Sequence, residues 1–538
     1  MVAAAWETEA QKCREILAKS IPAGYALADD RIPSPEEKSN VTTFIADCGA
    51  LSPKELAITE NGAGELTAAM AMGKYTAEEV TVAFLKRAVI GHQLVNFATE
   101  FLATEAIEKA RELDKYFQDT GKLVGPLHGV PISVKEHIGL EGRICHSSYT
   151  AWVKNVAAED ALIVALMKKA GAVILFRTNQ PQTLMHGDTN NNIYGKTVNP
   201  SNRLMSSGGS SGGEGAAIKL RCAAIGTGTD IAGSIRIPSA LCGVYGFRPT
   251  SCRLPYKGIM LAGGGQESVR CVVGPLANNI DDLELMMRTV LDQSPYEVET
   301  SLVPLPWRPE RALTPQTLSV GVMVDDGIVR PSPPLRRAME MAQEKLKATG
   351  VRLVPWIGHR HDELRPLLYE LCFSDNASVQ KGLLAETQEP WLKLTKRAMG
   401  LGREMDIHEI WRLHELRNTI REEYHAKMKQ LGIDVILSPA VNQVAVLTED
   451  FTYGFYTGLY NILDFPAAVF PTKLVSDAHL DVEDPNAQPR NDFEARELAK
   501  YDAELFAGMP IALEVAGKHH RDEETLAAMR LIEQVVLA

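Results

Sequence analysis

None of the eight cysteines has a second cysteine at metal-ligand spacing, no HExxH motif occurs, and the cysteines scatter from Cys13 to Cys372 without a repeating framework. A zinc site, a CxxC redox pair and a disulfide-stapled secreted scaffold all lack support, and reduced intracellular thiols are the expectation. Positive charge is also in short supply: 56 basic residues face 68 acidic ones, for a net charge of -12. Without a basic stripe, and with self-repulsion against a polyanion, no nucleic-acid partner is expected. The opening residues, MVAAAWETEAQKCREIL, carry no basic flank and no apolar stretch of signal-peptide length, and no transmembrane segment is visible. A cytoplasmic location is therefore expected.

What the chain does have is 45% hydrophobic residues spread evenly over 538 positions, enough for one large core or two. Two periodicities alternate along it. Thr76 and Glu79 form a capping box ahead of a stripe from Val80 toward Ile90, which predicts an amphipathic helix. A helix over 160–169 stopping near Gly171 is followed at once by the apolar run Ala172–Phe176, of buried-strand length. The order recurs where Ser332, Pro333 and Pro334 open a helix that Gly350 ends, with strand resuming over Val351–Val354. Val435–Leu437, Ala467–Phe470 and Ile511–Val515 read as interior strands bounded by proline or glycine. This alternation predicts a layered α/β fold. Residues 1–60 read as a helical segment and 61–538 as the catalytic domain, with Ser476–Arg496 a polar surface excursion.

The most unusual composition lies between Ser206 and Gly246, where SSGGSSGGEGAA is followed by AIGTGTDIAGSIRIPSALCGVYGF. A glycine/serine tract alone is most often a flexible linker. Here a helix-competent stretch, Ala216–Ala224, follows, and then turns that place Asp230, Ser234 and Arg236 among apolar neighbours. Gly195-Lys196-Thr197 fails as a P-loop because Asn190 stands where the leading glycine belongs, and the dinucleotide pattern begun at Gly226 fails at Ile231. Gly208-Gly-Ser210-Ser-Gly212 satisfies G-x-S-x-G, but the preceding NPSNRLMSS reads as turn rather than the buried strand that a nucleophile elbow needs. The late histidines His519 and His520 sit in KHHRDEE, which reads as a solvated face.

GGSSGGEGA and GTDIAGSIRIPSALCGVYGFRPT resemble the signature block of the amidase signature family. GPLHGVPISVKE resembles its lysine segment, and ILSPAV, FPAAVFPT and GMPIALEVAGKHHRDEETL resemble its closing strands and last helix, so the likeness covers residues 60–535. PQTLMHGDTNNNIYGKTVNP brings the chain nearest to the fungal acetamidase-type amidases. The resemblance implies a single large domain with a central mixed β-sheet sandwiched by α-helices. It also implies an amide hydrolase with Ser234 as acylated nucleophile, Ser210, preceded by a cis peptide bond, as relay, and Lys135 as base. Ser210 and Ser234 stand 24 residues apart, as the family pattern requires. The backbone N–H groups of Ile231, Ala232, Gly233 and Ser234 fall on the family's oxyanion hole. Ala232 stands where glycine is usual, so either its backbone sits in an ordinary φ/ψ region or its methyl narrows the pocket.

A serine hydroxyl needs a base, and no histidine occurs in the block to supply one. Lys135 follows the apolar run Val130–Val134, and burial disfavours its ammonium form, which would let it accept a proton near neutrality. From position alone, Lys135 is equally readable as a strand-end lysine paired with Glu136. Ser210 and Ser211 are likewise readable as capping serines, and Asp230 with Arg236 as a structural ion pair beneath the loop. Leu184, Met185 and His186 stand where the family has a pocket-lining segment, and the lack of charge there favours neutral, short aliphatic or aryl acyl groups. No metal or cofactor is required. A small-molecule amide is the expected partner, with a homodimer the expected form of any assembly. A long-chain fatty-acid amide hydrolase, a tRNA-linked amidotransferase subunit and a catalytically dead scaffold are the competing readings.

Overall fold

The computed structural model describes residues 4–308 and 313–538; residues 1–3 of the N-terminal segment lie outside it. Eleven strands form one sheet, numbered here along the chain: β1 Ala98–Phe101, β2 Pro131–Lys135, β3 Val173–Thr178, β4 Ile225–Asp230, β5 Tyr245–Arg248, β6 Val272–Ala277, β7 Ser319–Val322, β8 Arg352–Pro355, β9 Val435–Pro439, β10 Ala467–Val475 and β11 Pro510–Ala516. Their order across the sheet is β1-β3-β2-β4-β6-β5-β10-β11-β9-β7-β8. β3, β2 and β4 run parallel, as do β9, β7 and β8, and the remaining neighbours pair antiparallel. The sheet is thus mixed and sandwiched by helices, as expected.

Local signals explain most boundaries. Glu79 N donates to Thr76 Oγ1 at 3.1 Å and Thr76 N to Glu79 Oε2 at 3.2 Å, so the capping box opens the helix Ala77–Val95. Gly171, at φ +98°, lies between the helix Leu162–Lys169 and β3. Before residue 60 the chain is helical over Ala5–Ser20, Phe44–Asp47 and Pro53–Thr59, and Val41, Ile45 and Ile58 are buried in the main apolar cluster. A second cluster joins Ile231 to the helices His361–Cys372, Ile407–Leu431 and Phe455–Leu463 through residues such as Leu368, Tyr424 and Tyr456.

Four local expectations need correction. The helix expected over Ala216–Ala224 is Gly212–Lys219, so three glycines are helical and the last residues of the stretch are not. Packing overrides glycine's poor helix propensity. A strand, Asn202–Ser206, does precede Ser210, in a two-stranded ribbon with Val198–Asn199 outside the main sheet. KHHRDEE is solvated only in part: Asp522 and Glu523 are buried against Arg253, at 3.1 and 2.9 Å. The excursion 476–496 ends in the helix Asp492–Leu498, capped by Asn491, whose buried Glu494 pairs with Arg330 and Arg490.

Candidate active site

β2 and β4 are neighbours, with Ile132, Ser133 and Val134 in register with Ile225, Gly226 and Thr227. Lys135 ends β2 and Asp230 ends β4, so the sheet itself brings the lysine and the serine loop together. The helix Gly212–Lys219 lies close on β4: a Cβ on Gly226 would stand 2.3 Å from Glu214 Oε2. The small residues of GTGTD therefore permit a close helix–strand approach, which a linker would not need.

Lys135 is wholly buried, and its Nζ lies 2.7 Å from Ser210 Oγ and 3.1 Å from Thr229 Oγ1. Burial pushes the Lys135 ammonium down to about 7, against the opposing influence of Cys271, Asp230 and Glu214. Glu136, the alternative partner, is occupied elsewhere: it accepts from the amides of His146 and Ser147 at 2.8 and 3.0 Å and from Gln180 at 2.6 Å. Burial pushes the nearby Glu214 carboxyl up to about 8, although Ser133 and Thr178 donate to it.

Thr229 extends the cluster. Its Oγ1 is 2.9 Å from His137 Nε2, and His137 Nδ1 is 2.7 Å from the Met260 carbonyl oxygen. A carbonyl only accepts, so the ring proton is assigned to Nδ1. Burial, and then the Lys135 charge, hold the ring neutral. Nε2 then accepts from the Thr229 hydroxyl, whose oxygen accepts from Lys135. One lysine N–H is thereby fixed on Thr229, and the nitrogen lone pair is free to face Ser210.

The Gly209–Ser210 peptide is cis. Ser211 stands at the N-cap of the helix, yet its side chain makes no cap bond; its hydroxyl instead meets the Thr229 carbonyl and amide at 3.3 Å, and its amide donates to the Ser234 carbonyl at 3.0 Å. Ser210 and Ser234 are thus stitched to the same strand end. The Ser234 side chain opens into a cavity and hydrogen-bonds no described residue, Ser210 included.

Asp230 and Arg236 form the base of the loop, both fully buried at 3.0 Å. Burial would raise the Asp230 carboxyl, but the Arg236 guanidinium holds it well below the usual carboxylate range. Arg236 also meets Glu514 at 2.7 Å and Asn461 at 2.6 Å. Asp230 accepts from the amides of Gly233 at 2.8 Å and Ile235 at 3.1 Å. Gly233 therefore departs from the oxyanion expectation, because its N–H is directed down to the carboxylate. Among the described residues, the amides of Ile231, Ala232 and Ser234 have no protein acceptor. Gly233 sits at φ +115°, and a Cβ there would stand 2.0 Å from Thr457 Oγ1, so only glycine fits. Ala232 lies outside the left-handed region and lines the cavity: its backbone is ordinary and its methyl takes up space.

The cavity measures about 180 Å³ and is bounded by Leu184, Met185 and His186, with Ile231, Ala232, Ser234 and Ile237 on the side of the serine loop. Both ring nitrogens of His186 are buried, and burial pushes the ring down to about 4 against the opposing influence of the Gln182 and Asp188 backbone, so the ring is neutral. Sequence reasoning missed Thr229, His137 and the cavity's far wall. His137 stands two residues beyond Lys135 in the turn that follows β2, so strand periodicity does not point to it. The far wall, including Arg365 and Arg397, comes from helices well over a hundred residues later and carries no local signal.

The profile of the Amidase family matches residues 79–526. The chain belongs to this family. The amidase is similar to the acetamidase of Aspergillus oryzae, 36% identical over 549 residues and covering 100% of both chains. It is similar also to the acetamidase of Emericella nidulans, 35% identical over 535 residues, covering 97% of this chain and 96% of the other. Its fold superposes on a solved fatty acid amide hydrolase with a TM-score of 0.96 at 38% identity, covering 99% of this amidase and 95% of that chain. It is an amide-hydrolysing enzyme. Among the described residues no helix is long and apolar enough to cross a membrane.

Proposed function

We propose that this amidase cleaves compact carboxamides to acid plus ammonia or amine through an acyl-enzyme on Ser234. Neutral Lys135 takes the Ser210 proton as Ser210 takes that of Ser234, and Ser234 Oγ bonds to the carbonyl carbon. The amides of Ile231, Ala232 and Ser234 donate to the oxyanion, each such donor contributing roughly 3–4 kcal/mol in comparable sites. As the intermediate collapses the C–N bond breaks, and the proton returns through Ser210 to the leaving nitrogen. Water then attacks the ester by the same route and releases the acid.

The observation that carries this reading is the 2.7 Å contact between a buried, pKa-depressed Lys135 and Ser210. The Ser210–Ser234 link is left to form with substrate, as catalytic hydrogen bonds often do. A fluorophosphonate probe should label the wild type and not Ser234→Ala. Ser210→Ala should keep a residual rate, because water can stand in for the hydroxyl. Labelling that persists in Ser234→Ala overturns the assignment.

The likeness to a fatty acid amide hydrolase favours a second reading, in which long acyl amides are the substrates. The cavity of about 180 Å³ favours short aliphatic or aryl acyl groups over that alternative.

A further inference from the structure

The wall of the cavity remote from the serine loop is cationic in a chain that is otherwise acidic. Arg365, on the helix His361–Cys372, and Arg397, on the helix Lys393–Met399, both line the same cavity as Ser234. The chain carries 68 acidic residues against 56 basic ones, and buried arginines such as Arg236 and Arg253 are paired, with Asp230 and Asp522. Among the described residues, Arg365 and Arg397 have no carboxylate partner. Arg365 lies flat on Phe493, with its guanidinium carbon 3.8 Å from the ring centroid, and donates no hydrogen bond to a described residue. Stacking holds the plane and leaves the N–H edge unused. Arg397 donates only to the Thr452 carbonyl, at 3.1 Å.

The surroundings reinforce the positive field. Arg496 stacks on the same Phe493 at 4.9 Å. Arg397 is solvent-exposed, and partial desolvation, then the Arg496 charge, push its guanidinium below its ordinary range. Glu497, the acid whose charge Arg397 feels, is already held by Lys500 at 3.0 Å and Asn442 at 3.0 Å. Tyr369 lines the cavity too, feels both guanidinium charges, and hydrogen-bonds no described residue. Arg365 and Tyr369, without protein acceptors, and Arg397, with only the Thr452 carbonyl, therefore border the space whose other side is the nucleophile.

We infer that the cavity selects amides whose acyl group ends in a carboxylate, held by Arg365, Arg397 and Tyr369 while the carboxamide lies at Ser234. This inference rests on the amide-hydrolase reading and names its substrate class: monoamides of dicarboxylic acids. A planar carboxylate matches the guanidinium fork, and a charge-assisted pair in a partly desolvated pocket discriminates strongly against a neutral analogue.

The test compares kcat/KM for terephthalamate against benzamide, and for adipamate against hexanamide. The wild type should prefer the carboxylate member by roughly 10-fold or more. That ratio should collapse toward one in Arg365→Gln and Arg397→Gln and be partly kept in Arg365→Lys. A wild-type ratio near or below one, or a ratio unmoved in the double glutamine variant, overturns the inference. Calorimetric binding of the same pairs to Ser234→Ala gives a readout independent of turnover. Stronger binding of the carboxylate member supports the subsite even if hydrolysis fails, and equal binding overturns it. Failure of the amide-hydrolase reading is seen separately, as absent fluorophosphonate labelling.

Discussion

Lys135 Nζ approaches Ser210 Oγ at 2.7 Å inside a fully buried pocket, and the depression of the lysine to about 7 gives that contact its chemical meaning. Below about 7 the nitrogen holds its proton and cannot accept another; above it the lone pair is free. The rate should therefore rise with pH through a single-proton limb centred near 7 and reach a plateau at mildly alkaline pH. Measuring kcat/KM against pH reports this on the free enzyme. Lys135→Ala should lower activity severely and abolish the limb. If the limb survives at reduced height, another group is the base.

His137 fixes the polarity of the chain that ends at Lys135. With Nδ1 committed to Met260, Nε2 accepts from Thr229 and turns that hydroxyl away from the lysine lone pair. In His137→Phe the Thr229 hydroxyl is released to donate to Lys135 and compete with Ser210. We expect kcat to fall roughly 10-fold or more, with little change in KM, as for other orienting hydrogen bonds around a reacting group. His137→Gln, which retains an acceptor, should recover part of the loss. A proportionate change in KM alone would assign His137 to substrate binding instead.

The ion cluster beneath the loop should show its role in stability. Arg236 is fully buried among Asp230, Glu514 and Asn461. Removing it leaves Asp230 charged and unpaired in a site without water access, a defect of about 3–5 kcal/mol. Arg236→Met should therefore lower the thermal midpoint markedly. Asp230 also holds the amides of Gly233 and Ile235, so activity should fall in the fraction that remains folded. A melt indistinguishable from wild type would show that the cluster is dispensable.

These residues also show why some of the site was legible in the sequence and some was not. The Thr76–Glu79 box, and the stop at Gly171, act through neighbours within four residues, so pattern alone reveals them. Lys135, Ser210 and Ser234 lie in motifs dense enough to resemble a known family. The helical start at Gly212 was hidden because glycine's local preference opposes it, and only packing on Gly226 makes it favourable. Asp230's use of the Gly233 amide depends on a loop turn that periodicity does not encode. Arg365 and Arg397 reach the cavity through long-range packing, so their charge could not be assigned to the site from segments near Leu184.

The size of the cavity makes the last prediction. Leu184 and Met185, with Ala232 and Ile237 on the side of the serine loop, border about 180 Å³ of space. That is below the roughly 300 Å³ at which drug-sized pockets begin. An aryl or short aliphatic acyl group suits that space, whereas a sixteen-carbon chain exceeds it. Ammonia release at matched concentrations should therefore favour benzamide over palmitamide. Ala232→Gly removes the methyl that narrows the wall and should raise the relative rate on the longer amide, with only a modest effect on benzamide. Equal or faster turnover of palmitamide by the wild type would show that the cavity opens on binding, and would move the substrate assignment to long acyl amides.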